Sequence, residues 1–269
     1  MKKIGIIGAG NMGGAIALAL SAEKEWQVSI FDTDKAKLES LPNCTVATSM
    51  EELVQGSELV LLAVKPQVLP SLYPLLRKAG SRQKRWISIA AGVSLETLTE
   101  NLGTEEVVRF MPNLAAQVRQ SVTAVAPSVK ASESLKETAL AVAELFGSAF
   151  ILPEDQIAAF TGISGSAIAY VFQFFHALAM GGVAEGLPYP QALAIARDTC
   201  LSAAALQKQE GMNPVALATM VCSAGGTTIE GMKALAEGSF DATVMAAVSA
   251  SSAKFRLLEE KARQTEQTL

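Results

Sequence analysis

The spacing of hydrophobic positions divides the chain near residue 155. Before that point, short apolar runs occupy residues 3–7, 26–31, 58–64, 85–90 and 106–110. The continuous run at residues 58–64 is typical of a central strand buried on both faces of a parallel sheet, and the other runs have the length of short strands. Amphipathic segments separate these runs. The first part of the chain is therefore predicted to be an α/β doubly wound sheet.

Strand patterns disappear beyond residue 155, and longer helical patterns replace them. We predict helices at residues 159–187, 189–209, 214–221, 228–237 and 242–263. The expected organisation is two domains, with residues 1–158 forming the sheet domain and residues 159–269 forming an all-α domain.

The first break in the hydrophobic pattern carries candidate chemistry. It reads Gly8-Ala9-Gly10-Asn11-Met12-Gly13, between a strand and a helix-forming run. The next strand ends on Asp32, before a short predicted helix at residues 34–41. This order of strand, G-x-G-x-x-G, helix, strand and acid is the dinucleotide-binding fingerprint. Gly8 permits a tight turn, Gly10 lets the backbone approach a pyrophosphate, and Gly13 lets the helix pack on the strand. Free N–H groups at the helix start then bind phosphate.

Asp32 bears on which nicotinamide cofactor is used. A carboxylate at this place accepts a hydrogen bond from the ribose 2′-hydroxyl of NADH and repels the 2′-phosphate of NADPH. We therefore expect NADH to be favoured or at least competitive, with NADPH as the other candidate cofactor. Thr33 and Lys35 are the neighbours expected to soften this bias.

Lys65 stands at the end of another apolar run. It follows residues 58–64 and precedes Pro66, which ends the strand. Lys65 is therefore expected at the carboxyl edge of the sheet, where open α/β sheets bind their ligands.

Residues 156–184 contain no Asp, Glu, Lys or Arg. This length raises the alternative of a membrane span, but several polar residues inside the segment, including Ser164, Gln173 and His176, argue against it. We expect a helix buried on all sides against a second subunit of an obligate homodimer, and no membrane partner. His176 is expected to be a locally hydrogen-bonded core or interface residue rather than a catalytic one.

Composition restricts the partners and the compartment. Lys and Arg number 22 against 26 Asp and Glu, without a basic block, so nucleic acid is not an expected partner. Three cysteines without C-x-x-C spacing and a single histidine predict no metal site and suit a reducing compartment. The N-terminal apolar run resembles a secretory signal, but its glycines and Asn11 argue against one. We expect a cytoplasmic protein.

A second stretch of candidate chemistry lies in the helical part. It reads Cys222-Ser223-Ala224-Gly225-Gly226-Thr227-Thr228-Ile229-Glu230. Thr227 and Glu230 are predicted to form a capping box, and the exposed N–H groups nearby would suit a small carboxylate. A helix start without any ligand explains the same residues equally well, because capping boxes are frequent.

Six segments of the chain, in order, resemble the pyrroline-5-carboxylate reductase family. They are Gly8 to Met12, Ala63 to Pro66, Ser88 to Val93, Arg109 to Asn113, Gly162 to Ser166, and Val221 to Ile229. The resemblance covers nearly the whole chain. It implies an N-terminal Rossmann-type domain and a C-terminal dimerisation domain, with dimers that often assemble further. The implied reaction is the last step of proline biosynthesis, in which NADH or NADPH reduces the C=N bond of 1-pyrroline-5-carboxylate to give L-proline.

The resemblance also implies roles for particular residues. Gly226, Thr227, Thr228 and Ser164 would bind the substrate, while Thr228 and Ser223 carry the candidate catalytic hydroxyls. The implied cofactor-binding residues are Gly8, Ala9, Gly10, Asn11, Met12, Gly13, Asp32, Ala63, Val64, Lys65, Pro66, Ala90, Ala91 and Asn113.

Three places depart from the family pattern. Leu114-Ala115 stand where Thr-Pro is usual, Ala167-Ile168 replace Gly-Pro, and Ala224 stands where proline is common. A paralogue that reduces a related cyclic imine therefore stays open, as does a non-catalytic dinucleotide-binding regulator. A further alternative is a β-hydroxyacid-type dehydrogenase on the same architecture. Such an enzyme would be expected to carry a catalytic lysine on the long helix that starts the second domain, and the absence of lysine from residues 156–184 counts against it.

Overall fold

A computed structural model describes residues 1–266. The chain groups into two compact units, one formed by Met1–Gly165 with the residues from Ala250 onward, the other by Ser166–Ser249. Every strand of the described residues lies in the first unit, and the second is helical. The two domains expected from the sequence meet between residues 158 and 159. That domain boundary stays a prediction.

The first unit is built on one sheet. Its eight strands within residues 1–266 follow the order β3-β2-β1-β4-β5-β6-β7-β8. The strands are β1 Lys2–Ile7, β2 Trp26–Phe31, β3 Thr45–Val46, β4 Leu59–Leu62, β5 Arg85–Ser88, β6 Val107–Met111, β7 Ser121–Pro127 and β8 Gly147–Ile151. β1 pairs in parallel with both β2 and β4, so its carboxyl end lies between theirs.

β7 runs antiparallel to β6, which the sequence did not indicate. A short 3-10 helix at Leu114–Val118 turns the chain back after β6, and a connection this short cannot cross over to a parallel strand. Helix α5 then makes the longer crossover that allows β8 to pair in parallel with β7.

Helices cover both faces of the sheet, which confirms the doubly wound prediction. The helices of this part are α1 Asn11–Ser21, α2 Met50–Gly56, α3 Leu69–Lys78, α4 Leu95–Leu102, α5 Glu133–Glu144 and α6 Ile157–Ile163. Side chains of α1 and α5, such as Ile16 and Leu135, form one buried cluster with the sheet. Side chains of α2, α3, α4 and α6 form the other.

The remaining helices follow the predicted series closely. They are α7 Ala167–Ala184, α8 Tyr189–Glu210, α9 Pro214–Val221, α10 Thr227–Glu237 and α11 Phe240–Glu266. Within the second unit α7 packs on α8, where Gly182 approaches Ala192 closely enough that an added Cβ would lie 3.2 Å from the Ala192 Cβ.

Two helix predictions were wrong. The predicted helix at residues 159–187 is broken at Ser164–Ser166, because the backbone of Ser164 leaves the helical region, with φ −124° and ψ −67°. The Ser164 hydroxyl donates to the backbone carbonyl of Val122 at this point. The predicted helix at residues 34–41 is a single 3-10 turn at Lys35–Lys37, capped by the Asp34 side chain through the N–H of Ala36. The N–H groups of Leu38 and Leu41 bond to carbonyls three residues back, so an α-helix does not form.

Helix α7 is not buried within one chain. Among its residues only Ala179 is buried, while Phe172 and Met180 are 60% and 47% exposed. By length and composition alone, Glu154–Ala184 passes for a membrane span, with a mean hydropathy of 1.5. The break before Ala167 leaves α7 itself at 18 residues, near the lower limit for crossing a bilayer.

Candidate active site

The turn after β1 is shaped by two glycines, Gly8 and Gly13, at which a larger residue would collide with the backbone. Gly8 has φ +107°, and a Cβ there would lie 2.5 Å from the carbonyl oxygen of Ala63. A Cβ on Gly13 would lie 2.1 Å from the carbonyl oxygen of Gly8. A Cβ on Gly10 would meet nothing within 4 Å. The turn is therefore tight on the protein side and open at Gly10, as a backbone that approaches a ligand must be.

Helix α1 begins directly after this turn. Its first residue is Asn11, and Gly10 in extended conformation stands at the N-cap without a side-chain hydrogen bond. Gly14 N–H donates to the Gly10 carbonyl, so the N–H groups of the residues between them face outward from the helix start. Together with the helix dipole they suit a phosphate.

Asp32 lies at the end of β2, next to the turn. Its Oδ2 accepts a hydrogen bond from the Ala9 N–H at 2.7 Å, and its Oδ1 accepts one from the Asp34 N–H at 2.8 Å. Burial alone would raise the pKa of Asp32, but these two N–H groups and the nearby Lys37 together lower it below its ordinary value. The carboxylate is therefore charged, braces the glycine turn and keeps lone pairs for a ribose hydroxyl.

A cavity of about 650 Å³ opens beside these residues. Its lining includes six of the sequence-predicted cofactor positions, namely Gly8, Gly10, Asp32, Ala63, Val64 and Lys65. A second cavity of about 370 Å³ includes Ala9, Gly10 and Asn11. Gly10 and Lys37 belong to both linings, so the two cavities adjoin at the glycine turn. This volume, the open glycine and the charged acid fit a dinucleotide.

The other predicted cofactor residues lie outside both linings. Met12 and Gly13 are on α1, and Pro66 begins a 3-10 helix after β4. Ala90 and Ala91 follow the carboxyl end of β5, with Ala90 buried and Ala91 exposed. The chain turns away at Gly92, whose φ is +81°. Contact between these residues and a cofactor stays a prediction.

Asn113 and Ser164 are brought together, although 51 residues separate them. The Asn113 Nδ2 donates to the Ser164 hydroxyl at 3.1 Å, and that hydroxyl donates to the Val122 carbonyl at 3.1 Å. The Asn113 Oδ1 accepts from the N–H groups of Ala115 and Val122. Both side chains are almost fully buried. Their polar groups hold β6, β7 and the end of α6 together, and their roles toward nicotinamide and substrate stay predictions.

The predicted substrate segment begins α10 in the second unit. Gly225 has φ +65°, a backbone conformation that favours glycine, and a Cβ on Gly226 would lie 2.2 Å from the Ser223 Oγ, which would have to rotate away. The predicted capping box of Thr227 and Glu230 was wrong. Gly226 is the N-cap, without a side-chain hydrogen bond, and Thr227 is already the first helical residue. The start of α10 therefore leaves backbone N–H groups open to an anion.

His176 is accounted for by a local contact. Its Nδ1 lies 3.1 Å from the hydroxyl of Tyr189, and the two rings meet edge to face at 5.9 Å. Among the described residues, no three His, Cys, Asp or Glu side chains are grouped so that they could hold a metal ion.

Sequence reasoning missed several residues of the cavity. Lys37, Thr48, Ser49 and Leu72 line it, and none lies within the fingerprint. Thr48 and Ser49 lie just beyond β3 at the same edge of the sheet as Asp32. The available signal was the topology itself, because the carboxyl ends of neighbouring parallel strands meet at one edge.

The sheet order, the glycine turn and the cavity beside Asp32 define a dinucleotide-dependent oxidoreductase of the Rossmann type with a helical second part. Pyrroline-5-carboxylate reductase of Methanosarcina acetivorans is 37% identical over 97% of this chain and 99% of the relative. The Escherichia coli reductase is 34% identical over 92% of this chain and 95% of the relative. The chain belongs to the pyrroline-5-carboxylate reductase family.

Family models and solved structures agree with this assignment. A model described as pyrroline-5-carboxylate reductase dimerisation matches residues 154–258, and one described as NADP oxidoreductase, coenzyme F420-dependent, matches residues 3–92. The Plasmodium falciparum reductase, solved with NADP bound, superposes with a TM-score of 0.84, 26% identity and coverage of 96% of this chain and 98% of that one. The Coxiella burnetii reductase superposes with a TM-score of 0.87 and 27% identity, and the match covers 95% of this chain and 97% of that one. The predicted fold class is confirmed.

Proposed function

We propose that this chain reduces the C=N bond of 1-pyrroline-5-carboxylate to L-proline with a reduced nicotinamide dinucleotide. The observation that carries this proposal is the 37% identity to a pyrroline-5-carboxylate reductase over 97% of the chain, which spans the glycine turn and the α10 segment alike. The cavity beside Asp32 fits the dinucleotide, and the open start of α10 fits a carboxylate.

The chain's own residues bind and orient. A cyclic imine is readily protonated, so the reaction needs positioning more than a strong acid. The N–H groups at the start of α10 hold the substrate carboxylate, and the Thr228 hydroxyl orients the ring nitrogen or relays its proton. Ser223 supports this segment, since its hydroxyl lies against Gly226. The bound dinucleotide supplies the hydride. The imine carbon receives it, and the ring nitrogen keeps the proton of the iminium form.

Replacement of Thr228 tests this assignment. Thr228→Ala removes one oriented hydroxyl, and kcat/KM for the imine is expected to fall by about 100-fold, the usual cost of losing one such group. Thr228→Ser keeps the hydroxyl and should retain most activity. Thr219→Ala is the matched control, because the Thr219 hydroxyl only bonds to the Val215 carbonyl within α9. Equal activity of Thr228→Ala and Thr219→Ala would remove Thr228 from the site.

We propose that NADH is preferred or competitive, on the evidence of Asp32. Two charges about 4 Å apart interact by about 4 kcal/mol at an effective dielectric of about 20, which disfavours a 2′-phosphate. Half of that energy still corresponds to more than about tenfold in binding. Measured kcat/KM values with NADH and NADPH test the bias, and a large preference for NADPH would contradict it.

We propose a homodimer in which a second copy covers α7. The support is the exposed apolar surface of this helix and the match of residues 154–258 to the dimerisation model. Light scattering of the purified protein should give at least the dimer mass and report any higher assembly. Phe172→Glu should yield monomers, whereas Val129→Glu, at a 98% exposed position of the first unit, should not. A dimeric Phe172→Glu protein would contradict the proposal.

A related cyclic imine is the second candidate substrate. The observation that favours it is Leu114, which is 53% exposed directly after Asn113. Rates with imines of different ring size and with or without the carboxylate decide between the two.

We place the enzyme in the cytoplasm, since its three cysteines are free in the structure.

A further inference from the structure

Lys37 is assigned by neither the glycine fingerprint nor the family resemblance. It lies on the 3-10 turn Lys35–Lys37 that follows β2. Its Nζ is 3.7 Å from the Asp32 Oδ1 and 3.5 Å from the Asp34 Oδ2. The same side chain lines both cavities at the glycine turn. An ammonium group therefore stands beside the acid that disfavours a 2′-phosphate.

Charges of both signs lie together beside the glycine turn, since Lys37 is close to Asp32 and Asp34. Asp32 is only 12% exposed, and N–H groups of Ala9 and Asp34 already bind its oxygens, so the acid is fixed in place. Lys37 is 46% exposed and flexible enough to turn from a carboxylate to another anion in the cavity. A 2′-phosphate adds close to two negative charges, which Lys37 would attract while Asp32 and Asp34 repel them.

We propose that Lys37 determines the cofactor specificity of this enzyme, by providing the positive charge that lets a 2′-phosphorylated dinucleotide bind next to Asp32. The inference rests on the proposed function for its biological meaning and refines the expected preference for NADH. Without Lys37 the site would discriminate strongly against NADPH. With it, the chain uses both cofactors.

Binding measurements test the proposal without any turnover. Calorimetric titration of NAD⁺ and NADP⁺ at low salt compares the wild-type protein with Lys37→Met. The affinity for NADP⁺ should fall by about tenfold or more, the usual effect of losing one charged hydrogen bond, while the affinity for NAD⁺ changes much less. Lys35→Met is the matched control, since it changes the same charge on the same turn. Lys35 was expected from the sequence to soften the bias against NADPH, but it lines neither cavity, so its replacement should leave NADP⁺ binding largely unchanged.

A second substitution is expected to strengthen NADP⁺ binding rather than weaken it. Asp34→Asn removes a carboxylate that competes for Lys37, yet asparagine can still cap the turn at Ala36 as Asp34 does. NADP⁺ should bind several-fold more tightly to this variant, and added salt should reduce both effects. Lys37→Arg keeps the charge and should restore NADP⁺ binding.

The results that overturn the proposal are distinct from those that overturn the reductase function. Equal weakening of NAD⁺ and NADP⁺ by Lys37→Met, or the same change with Lys35→Met, refutes a role of Lys37 in specificity. If the protein binds both dinucleotides with the selectivity expected of Lys37 but does not reduce the imine, the proposed function fails and the role of Lys37 stands.

Discussion

Replacing Gly13 by alanine probes the packing that makes the dinucleotide site. A Cβ at this position would lie 2.1 Å from the Gly8 carbonyl oxygen and 2.8 Å from the Ala63 Cβ. Real Cβ atoms essentially never approach another heavy atom within 3.0 Å, so α1 must move away from β1 by about 1 Å or more. The obstacles are backbone and a Cβ, which cannot rotate aside.

The expected cost follows from this displacement. Overpacking of a well-packed site costs about 1–3 kcal/mol of stability. A shift of about 1 Å in a positioned helix start can cost about 100-fold in activity. We therefore expect Gly13→Ala to lower the melting temperature, to weaken NAD⁺ binding and to lower kcat/KM by about 100-fold.

Gly14→Ala is the matched control on the next residue of the same helix. There the new Cβ would lie 3.7 Å from the Ala9 carbonyl oxygen, which is ordinary contact. Alanine in a helix is favoured over glycine by about 0.5–1 kcal/mol, so this variant should be as stable as wild type or more so. Calorimetric titration and thermal unfolding at one protein concentration compare the two. Wild-type NAD⁺ affinity in a stable Gly13→Ala protein would refute the reasoning.

Two further perturbations have defined outcomes. Arg109 is fully buried and paired with Glu154 at 2.9 Å and Glu259 at 2.7 Å, so Arg109→Met should destabilise by about 3 kcal/mol, as broken buried pairs do. Breaking the surface pair of Lys136 by Lys136→Met should cost no more than about 0.5 kcal/mol, and equal thermal shifts for the two variants would be inconsistent with this difference. The pKa of Asp32 is lowered from 3.8, so its contribution is full above pH 3.8 and is lost as the pH falls through the folded-state pKa. The stability difference between wild type and Asp32→Asn should therefore shrink below about pH 4, and a pH-independent difference would argue against the bonds drawn to Asp32.

The N-terminal site was largely predictable because its signals are local. The glycine spacing, the flanking strands and Asp32 occupy one βαβ unit, and the structure places them as the fingerprint requires. The apolar run at residues 58–64 was predicted to be a central strand, and the observed strand β4, Leu59–Leu62, lies between β1 and β5. Each of these features follows from neighbours along the chain.

The features that the sequence missed depend either on a distant partner or on the conformation of a short turn. At the helix break, the Ser164 hydroxyl bonds to the carbonyl of Val122, which is 42 residues away. Lys37 pairs with Asp32 because the segment after β2 forms a single turn rather than the predicted helix. That turn brings the Lys37 ammonium group back to the Asp32 carboxylate. Periodicity gives no information on either contact, since the first needs a residue 42 positions away and the second depends on the conformation of a single turn.

The exposure of α7 is another point at which the expectation from the sequence and the structure of a single chain differ. Its apolar composition predicted burial on all sides, and a single chain leaves most of its residues exposed. The prediction concerned a second subunit, so its outcome depends on the assembly and is tested by the mass of the purified protein.

The most direct measurement of the central claim is product formation. Purified protein is mixed with 1-pyrroline-5-carboxylate and NADH or NADPH, and both dinucleotide oxidation and L-proline are quantified. We predict one L-proline formed for each dinucleotide oxidised. Absence of L-proline with both cofactors, from a folded protein that binds dinucleotide, would contradict the claim.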